Sequence, residues 1–344
     1  MKKLDWEYPR DGDIIVTDDF FIFYIMGYDH PKDRVISYLK YIPVKAINYF
    51  DLEWIPHKWQ FLSREYIRPK KLYSPKIFKS IESTFTTYFP EYLYFSKNWD
   101  KTVFAIPYDK IKEVFVPQSG LNHLIKLEKK DVLQKKSIKL INMLSEYSKI
   151  PLTDFGIHGS ILTSMHTETS DIDVAVYGAN NFKELKKIVK KLEEEKKIKY
   201  LFEIPTDKIR KNKGIFENQK FVFNAIRKIL EINNNYEIFE YKAIKSIQFQ
   251  CKIVDNSLAM FRPALYRIGD FRPNNPESDL KKDQKPSELI SMIGEFRDIV
   301  EKDQIAKVSG MLEQVKNNKT DEIYHRVVVG SGKGDEYIFP IDDL

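Results

Sequence analysis

The chain has 344 residues, 42% of them hydrophobic and 31% charged, with 56 Lys and Arg against 50 Asp and Glu. These values are typical of a globular protein of two or three domains, and a surplus of six positive charges is too small to indicate nucleic-acid binding by itself. The single cysteine, Cys251, excludes an internal disulfide and a thiolate metal cluster. Because no stretch has the length and hydrophobicity of a signal peptide or a membrane span, we expect a cytoplasmic protein without a membrane partner.

The segment 1–126 is unusually aromatic. It holds 27 of the 47 Phe, Trp and Tyr residues, including all four Trp. Apolar runs between turn residues predict strands at 13–17, 20–27, 34–42 and 102–106. We therefore predict a separate aromatic-rich α+β domain over 1–126. A packed core or a surface for a partner is a commoner reason for such rings than stacking on bases, and these alternatives stay open.

The segment 127–271 combines helical and strand-like patterns. Apolar residues at helical spacing predict helices at 127–149 and 180–199. Short apolar runs predict strands at 154–158, 171–177, 220–229 and 247–254. We expect these elements to form one α+β domain. Residues 181–230 contain 15 Lys and Arg but 7 Asp and Glu, so the whole positive surplus of the chain lies there.

Two short motifs stand out in this segment. Gly159-Ser160 ends a short apolar run, where a glycine lets the backbone lie against a phosphate group. Ten residues after Ser160, Ser170 is followed by Asp171-Ile172-Asp173. Two aspartates at this spacing on a strand point to the same face, which suits a divalent cation better than a core. Together the motifs indicate a nucleotide site.

This order, apolar-Gly-Ser and then Asp-apolar-Asp-apolar, resembles the signature of the DNA polymerase β-like nucleotidyltransferase superfamily. The whole chain is also similar to a group of uncharacterised archaeal predicted nucleotidyltransferases. The resemblance implies a polymerase β-like core in which Asp171 and Asp173 bind Mg²⁺ or Mn²⁺, one ion holding the triphosphate and one lowering the pKa of the acceptor hydroxyl. It further implies that Gly159, Ser160 and Ser170 lie against the nucleotide, with the Ser160 hydroxyl at a phosphate oxygen.

The superfamily also has a third carboxylate on a later strand, and this sequence departs from that pattern. The strand next in order, 221–227, offers Asn224, whose amide oxygen ligates a cation without adding a negative charge. Asp255, at the end of the run 252–255, is the leading catalytic candidate if the strand order differs, and Glu240 is a poorer one. Asp255, Asn224, another acid or no third ligand all stay open.

Basic residues follow the Asp-Ile-Asp strand. The ones placed to meet a triphosphate or a nucleic-acid backbone are Arg210, Lys211, Lys213, Arg227 and Lys228. We take Arg227 as the nucleotide-binding candidate among them. A solvated basic face is an equally good explanation of the group.

The end of the chain reads as a separate module. Residues 272–286 are rich in proline and charge and predict a linker, and 287–344 predict a small β-rich domain of short strands. A barrel of the oligonucleotide-binding kind is one option among compact β modules. The run 330–335 lacks the spacing and the following helix of a phosphate-binding P-loop, so a hairpin turn explains it better.

We therefore expect an α+β nucleotidyltransferase of several domains that moves a nucleoside monophosphate from a nucleoside triphosphate to an acceptor hydroxyl. The basic stretch and the possible barrel favour RNA as the acceptor. Two alternatives stay open. One is a catalytically degenerate module that binds nucleic acid or protein, and the other is an enzyme that transfers the nucleotide onto a protein.

Overall fold

The computed structural model describes residues 6–71 and 75–341. Of these, residues 6–28, 33–93 and 104–233 form one compact unit, and residues 29–32, 94–103 and 234–341 form a second. Helices and three sheets of eight, five and six strands make up the structure, which confirms the predicted mixture of α and β elements. Within the described residues, no helix is long and apolar enough to cross a membrane.

The N-terminal sheet has eight strands and one accompanying helix. They are β1 (Ile14–Thr17), β2 (Ile22–Ile25), β3 (Arg34–Pro43), β4 (Trp59–Phe61), β5 (Arg64–Ile67), α1 (Pro75–Tyr88), β6 (Leu93–Ser96), β7 (Lys101–Pro107) and β8 (Ile111–Phe115). Six strands follow the order β4-β5-β3-β2-β1-β8, and β7 pairs with both β3 and β6. The tip of the β6–β7 hairpin belongs to the second unit.

Most aromatic residues of the N-terminal region are core residues. One face of its sheet packs against α1 through rings that include Phe21, Phe23 and Phe85, with the Phe21 and Phe85 centroids 5.0 Å apart. Aromatic pairs in tilted or edge arrangements add stability beyond the apolar area they bury. A packed core, the commoner explanation for this composition, therefore accounts for these rings.

The other face of the N-terminal sheet shares a core with the predicted nucleotidyltransferase segment. Ile14, Val16 and Tyr41 cluster there with Leu162 and Met165, which follow the Gly-Ser motif. The predicted boundary after residue 126 therefore does not separate two compact units. The physical reason is that the sheet presents apolar side chains on both faces, and the second face is buried by residues 161–165.

The five-stranded sheet and its helices follow. The elements are α2 (Pro117–Lys126), α3 (Val132–Ser148), β9 (Phe155–Ile157), α4 (Gly159–Leu162), β10 (Ile172–Tyr177), α5 (Ala179–Glu194), β11 (Lys199–Tyr200), α6 (Asp207–Arg210), β12 (Lys213–Phe216) and β13 (Gln219–Ile226). The strand order is β11-β12-β13-β10-β9, in which β10 and β13 are parallel and the other pairs are antiparallel. The predicted helix at 127–149 starts only at Val132, because the Asp131 side chain caps it by accepting from the Gln134 backbone N–H.

The two faces of this sheet differ in chemistry. Ile172, Val174 and Val176 are fully buried on the face covered by α3 and α5, where Phe182 and Phe223 also meet. Because side chains alternate along a strand, Asp171 and Asp173 lie on the opposite face. The alternation predicted from the sequence is therefore present on β10.

The six-stranded sheet lies in the second unit. Its strands are β14 (Phe239–Leu258), β15 (Ala264–Pro273), β16 (Glu288–Ser291), β17 (Ile305–Asn317), β18 (Ile323–Val329) and β19 (Tyr337–Ile341). The first five strands close into a ring in the order β14-β15-β16-β18-β17-β14, and β19 pairs with the start of β17. The β16–β18 pair is parallel and the other pairs are antiparallel.

This barrel changes the predicted division of the chain. Strands β14 and β15 lie within the predicted domain 127–271 but pair with the C-terminal strands. Residues 272–286 are therefore a connection inside the barrel rather than a linker between domains. The boundary falls at 233/234 because the 20-residue β14 pairs with β17 from Phe239 to Lys252 and so belongs to the barrel. Cys251 is buried inside the barrel, and burial raises the pKa of its thiol to about 12, as expected for a core cysteine.

Candidate active site

The turn after β9 lies against the β10 aspartates. The backbone N–H of His158 donates to the Asp173 carbonyl at 2.8 Å, which holds the turn beside β10. Gly159 follows with φ of +60°, and a Cβ atom built on it would lie 1.9 Å from Asp173 Oδ2. Both the backbone conformation and the close approach therefore require glycine here. Next to it, the half-buried Ser160 is the second residue of the short helix α4.

The approach to Asp171 is a tight turn. Ser170 Oγ accepts from the Thr167 backbone N–H at 2.9 Å, and the Ser170 N–H donates to the Thr167 carbonyl at 3.1 Å. The Gln219 side chain of β13 donates to the Ser170 carbonyl at 2.7 Å. Ser170 therefore fixes the start of β10 through the turn, and its hydroxyl is engaged there. A role for it in nucleotide binding stays a prediction.

Burial shapes the electrostatics of the two aspartates. The pKa of Asp173 is raised to about 6, chiefly by burial and also by the negative charge of Asp171, while the positive charge of Lys40 opposes the shift. Partial burial also raises the pKa of Asp171, against the nearby charges of Lys220 and Lys213. Two neighbouring carboxylates that repel each other are stabilised in their charged forms by a bound cation.

A network of ion pairs lies beside Asp171. Lys220 pairs with Glu203 at 2.7 Å, and Lys213 pairs with Asp207 at 3.1 Å and with Glu203 at 3.6 Å. The Asp207 side chain is fully buried and also accepts from the backbone N–H groups of residues 203 and 204. The basic stretch predicted from composition is therefore partly neutralised by acids within it. Glu203 and Asp207 were missed as partners, because the count of charges over 181–230 says nothing about which ones meet.

The strand register decides what lies beside Asp173. On β13, Val222 pairs with Asp173 and Asn224 pairs with Ala175. Paired residues of neighbouring strands share a face, so Asn224 lies on the face of Asp173 but beside Ala175, one pleat along the strand. Within the described residues, no group of three His, Cys, Asp or Glu side chains is arranged to hold a metal ion. The third carboxylate of the superfamily is thus absent from this part of β13.

Asp255 lies on a different sheet. It is part of β14 in the barrel of the second unit, and Glu240 lies on the same strand. The two carboxylate oxygens of Asp255 accept from the backbone N–H and the hydroxyl of Ser257, at 2.8 and 2.9 Å. The prediction that Asp255 shares the nucleotidyltransferase sheet is therefore corrected. That prediction required a strand order different from the order along the chain, and the pairing of β13 with β10 rules such an order out.

Arg227 also lies away from the aspartates along the sheet. It follows the last residue of β13, five positions beyond Val222 and so about 16 Å along the strand from the level of Asp173. Its guanidinium stacks over the Tyr28 ring at 5.0 Å, and its backbone N–H donates to the Tyr28 hydroxyl at 3.0 Å. The structure does not bring Arg227 together with Asp171 and Asp173.

The two histidines near the motif make local contacts. His166 pairs with Asp131 at 2.8 Å, at the start of α3. His158 meets the ring of Tyr24 edge-on, with the centroids 5.4 Å apart. Two residues of the N-terminal sheet therefore interact with this site: Tyr24 contacts the His158 ring, and the charge of Lys40 acts on Asp173. No spacing pattern in the sequence predicts this contact, because the two segments are more than a hundred residues apart.

The residues present fit a divalent cation that is shared with a substrate. Mg²⁺ is commonly held by one or two carboxylates together with substrate phosphates, rather than by a cage made wholly of protein ligands. Asp171 and Asp173 supply two such carboxylates on one face, and Gly159 leaves the space next to Asp173 Oδ2 free of a side chain. The pair is suited to one ion bound with a nucleotide.

Comparisons with known proteins agree with this geometry. Residues 137–234 match the family model described as the nucleotidyltransferase domain, a range that runs from α3 through β13 and ends at the boundary of the first unit. An uncharacterized protein of the archaeon Methanocaldococcus jannaschii is 26% identical, and the match covers 96% of this chain and 98% of that protein. No solved structure matches the chain significantly. The resemblance indicated by Gly159-Ser160 and Asp171-Ile172-Asp173 is confirmed, since residues 137–234 match the nucleotidyltransferase domain model and the archaeal protein is similar along the chain.

Proposed function

We propose that the protein is a metal-dependent nucleotidyltransferase that moves a nucleoside monophosphate from a nucleoside triphosphate to an acceptor hydroxyl of RNA. One observation carries this proposal, the close approach of Gly159 to the Asp173 carboxylate within the matched domain. A glycine at this position lets the Gly-Ser turn lie directly against the carboxylate, so that a phosphate bound on the turn and a cation bound by the carboxylate would be neighbours.

Each residue has a role in this proposal. Asp171 and Asp173 hold Mg²⁺ or Mn²⁺ by their carboxylates, Gly159 lets the triphosphate approach the backbone, and Ser160 donates its hydroxyl to a phosphate oxygen. The bound cation supplies neutralisation of the charge that moves between phosphate oxygens during transfer. The protein's own contribution is to position the triphosphate and the acceptor hydroxyl in line.

The barrel of the second unit supports RNA as the acceptor. Its five-strand ring, with the third and fifth strands parallel, has the strand order of the oligonucleotide-binding barrels, whose second and third strands bind single-stranded nucleic acid. The corresponding strands here are β15 and β16, and Arg267 is exposed on β15. We also place the protein in the cytoplasm, which rests on the single buried cysteine.

A degenerate binding module is the second candidate function. Val222 beside Asp173 is the observation that favours it, because an apolar residue there supplies neither a metal ligand nor a base for the acceptor hydroxyl. This candidate predicts nucleotide or nucleic-acid binding without turnover. Transfer onto a protein is a further outcome that the same experiment separates.

The test is label transfer from each of the four α-labelled nucleoside triphosphates, with Mg²⁺ or Mn²⁺ and total cellular RNA. Wild type is compared with Asp171→Ala/Asp173→Ala and with a matched control, Asp33→Ala/Asp109→Ala, which removes two exposed acids from the first unit. Label in RNA with wild type and control alone supports the proposal. Label on protein favours the protein acceptor, and no label in RNA, protein or small molecules from folded wild type favours the degenerate module.

A further inference from the structure

A β-bulge in the N-terminal sheet lies at Lys40. On the partner strand β2, Ile22 pairs with Tyr41 and the next residue, Phe23, pairs with Leu39, so Lys40 is the extra residue of β3. A bulge interrupts strand pairing and changes the direction of a side chain, and bulges are frequent next to active sites. The bulge therefore marks Lys40 as a position where the backbone departs from regular pairing.

The bulge places Lys40 on the face that packs against the nucleotidyltransferase domain. Leu39 points into the opposite core, together with Phe23 and α1. Tyr38 and Tyr41 both belong to the face that buries Leu162 and Met165. In a regular strand, Lys40 and Tyr41 would point to opposite faces of the sheet. Because of the bulge, both side chains point to the same face.

A short chain of contacts connects Lys40 to the Gly159 turn. The Lys40 ammonium lies 5.5 Å from the centroid of the Tyr24 ring. Tyr24 in turn meets the ring of His158, the residue that precedes Gly159 and donates to Asp173. The positive charge of Lys40 also acts electrostatically on the Asp173 carboxylate.

The neighbouring cation on this face is already engaged. Arg68 stacks over the Trp59 ring at 5.1 Å, and the Tyr41 and Trp59 rings are themselves 5.1 Å apart. This packing holds the Arg68 guanidinium against the Trp59 ring. Lys40 has a long, flexible stem and three donors, which suit a phosphate group.

We propose that Lys40 binds the phosphates of the nucleoside triphosphate held at Asp171 and Asp173, so that the N-terminal sheet forms part of the substrate site. This inference rests on the proposed function, since it requires a nucleotide at those aspartates. It assigns the N-terminal region a substrate-binding role in addition to its packed core. The bulge is the feature of β3 that turns Lys40 to this face of the sheet.

The test is equilibrium binding to the full-length protein with Mg²⁺ present. The probes are each of the four nucleoside triphosphates, inorganic tripolyphosphate, and the four nucleosides. The variants are Lys40→Gln, Lys40→Arg and a matched control, Lys79→Gln, which removes an exposed charge from α1 on the opposite face of the sheet. Loss of a charged hydrogen bond is expected to weaken triphosphate and tripolyphosphate binding by about 10- to 100-fold in Lys40→Gln.

Nucleoside affinity should stay unchanged in Lys40→Gln, whereas Lys40→Arg should retain most of the triphosphate affinity and Lys79→Gln all of it. A Lys40→Gln protein that binds tripolyphosphate as tightly as wild type overturns the inference and leaves the proposed function standing. Wild type that binds no probe overturns the proposed function and this inference together. If Lys40→Gln fails to fold, Lys40→Met serves in its place, because it keeps most of the apolar stem.

Discussion

Two strands, β10 and β14, carry an aspartate next to apolar residues, yet the surroundings of the two carboxylates differ. On β14, the oxygens of Asp255 accept hydrogen bonds from Ser257 two residues away. On β10, Asp173 lies beside a glycine from a different segment, with burial raising its pKa to about 6. The first carboxylate is satisfied by its own chain, and the second is positioned for a ligand.

The difference teaches how to recognise a ligand-binding aspartate in an alternating strand. A carboxylate that accepts from nearby backbone and hydroxyl donors closes a turn and gains little from a cation. A buried carboxylate beside a second carboxylate and a glycine is destabilised in its charged form unless a cation binds to it. What separates β10 from β14 is therefore that Asp255 accepts from Ser257 of its own strand, whereas Asp173 lies against a turn from another segment.

The largest expected effect comes from replacing one aspartate carboxylate by an amide on each of the two strands. Asp173→Asn should reduce nucleotidyl transfer by about 1,000-fold, since it removes one of two anionic ligands and several kcal/mol of charge stabilisation. Asp255→Asn should leave transfer within about twofold of wild type, because its carboxylate makes local contacts, each worth about 1 kcal/mol of stability. The measurement is the initial rate of label transfer at saturating Mg²⁺.

The two variants also test the assignment of the site. A loss of transfer in Asp255→Asn comparable to that in Asp173→Asn, with both proteins folded, would contradict the distinction between the strands. Far-UV circular dichroism and thermal melts of both variants provide the control for folding.

A smaller effect is expected from Gly159→Ala. The added Cβ would meet Asp173 Oδ2, and an alanine at φ of +60° is strained, so the turn or the aspartate must shift. We expect about 1–3 kcal/mol lower unfolding free energy and a transfer rate about 100-fold lower. Urea unfolding and the same transfer assay measure the two quantities.

Gly269→Ala on β15 is the matched control from the barrel. There, an added Cβ would meet Val254 Cγ2 at 3.3 Å, and the glycine has no left-handed conformation to lose. We expect transfer to be unchanged in this variant. Normal transfer by Gly159→Ala would show that the approach of residue 159 to Asp173 has no part in the reaction.

The smallest effect concerns a third acid, Asp13, which is buried like Asp173 but held by donors like Asp255. Its Oδ2 atom accepts from Trp6 Nε1 at 2.9 Å and from the Arg10 backbone N–H at 3.1 Å. Burial raises the pKa of Asp13 to about 7, with the Arg10 charge opposing. The folded protein therefore keeps this proton at pH values where the unfolded chain has lost it.

For Asp13 the sign of the pH dependence follows from linkage. The pKa of Asp13 in the folded state exceeds the ordinary value of 3.8. The contribution of Asp13 to the free energy of unfolding is therefore complete below about pH 4 and is lost as the pH rises to about 7. The slope contributed is about 1 kcal/mol per pH unit over that range. Asp13→Asn should remove that part of the slope in urea unfolding at pH 5, 6 and 7, whereas the exposed Asp33→Asn should not. An unchanged slope in Asp13→Asn would contradict the raised pKa.

The sequence was most informative where the chemistry is local. Alternation on 171–177 and the Gly-Ser turn were predicted from residues next to one another, and both are present in the structure. Strands were also predicted over 287–344, and β16, β17, β18 and β19 are present there. Local patterns suffice for such elements because backbone sterics and side-chain alternation act between near neighbours.

Predictions that depended on pairing between distant segments were the ones corrected. The catalytic role of Asp255 required a strand order different from the chain order, whereas β14 pairs with β17 and β15 in the barrel. The separate N-terminal domain was inferred from a change in composition, whereas its second face is buried by Leu162 and Met165. Composition cannot show which surface covers which.

The sequence by itself thus determined the nucleotide motif, the face that carries its two aspartates and the apolar patterns of most strands. The tertiary structure alone decided that Val222 lies beside Asp173, that Asp255 belongs to the barrel, and that the bulged Lys40 faces the Gly159 turn. The physical reason is the range of the interactions. Strand alternation and turn conformation are fixed by residues a few positions apart, whereas strand register and burial depend on segments that meet only when the chain folds.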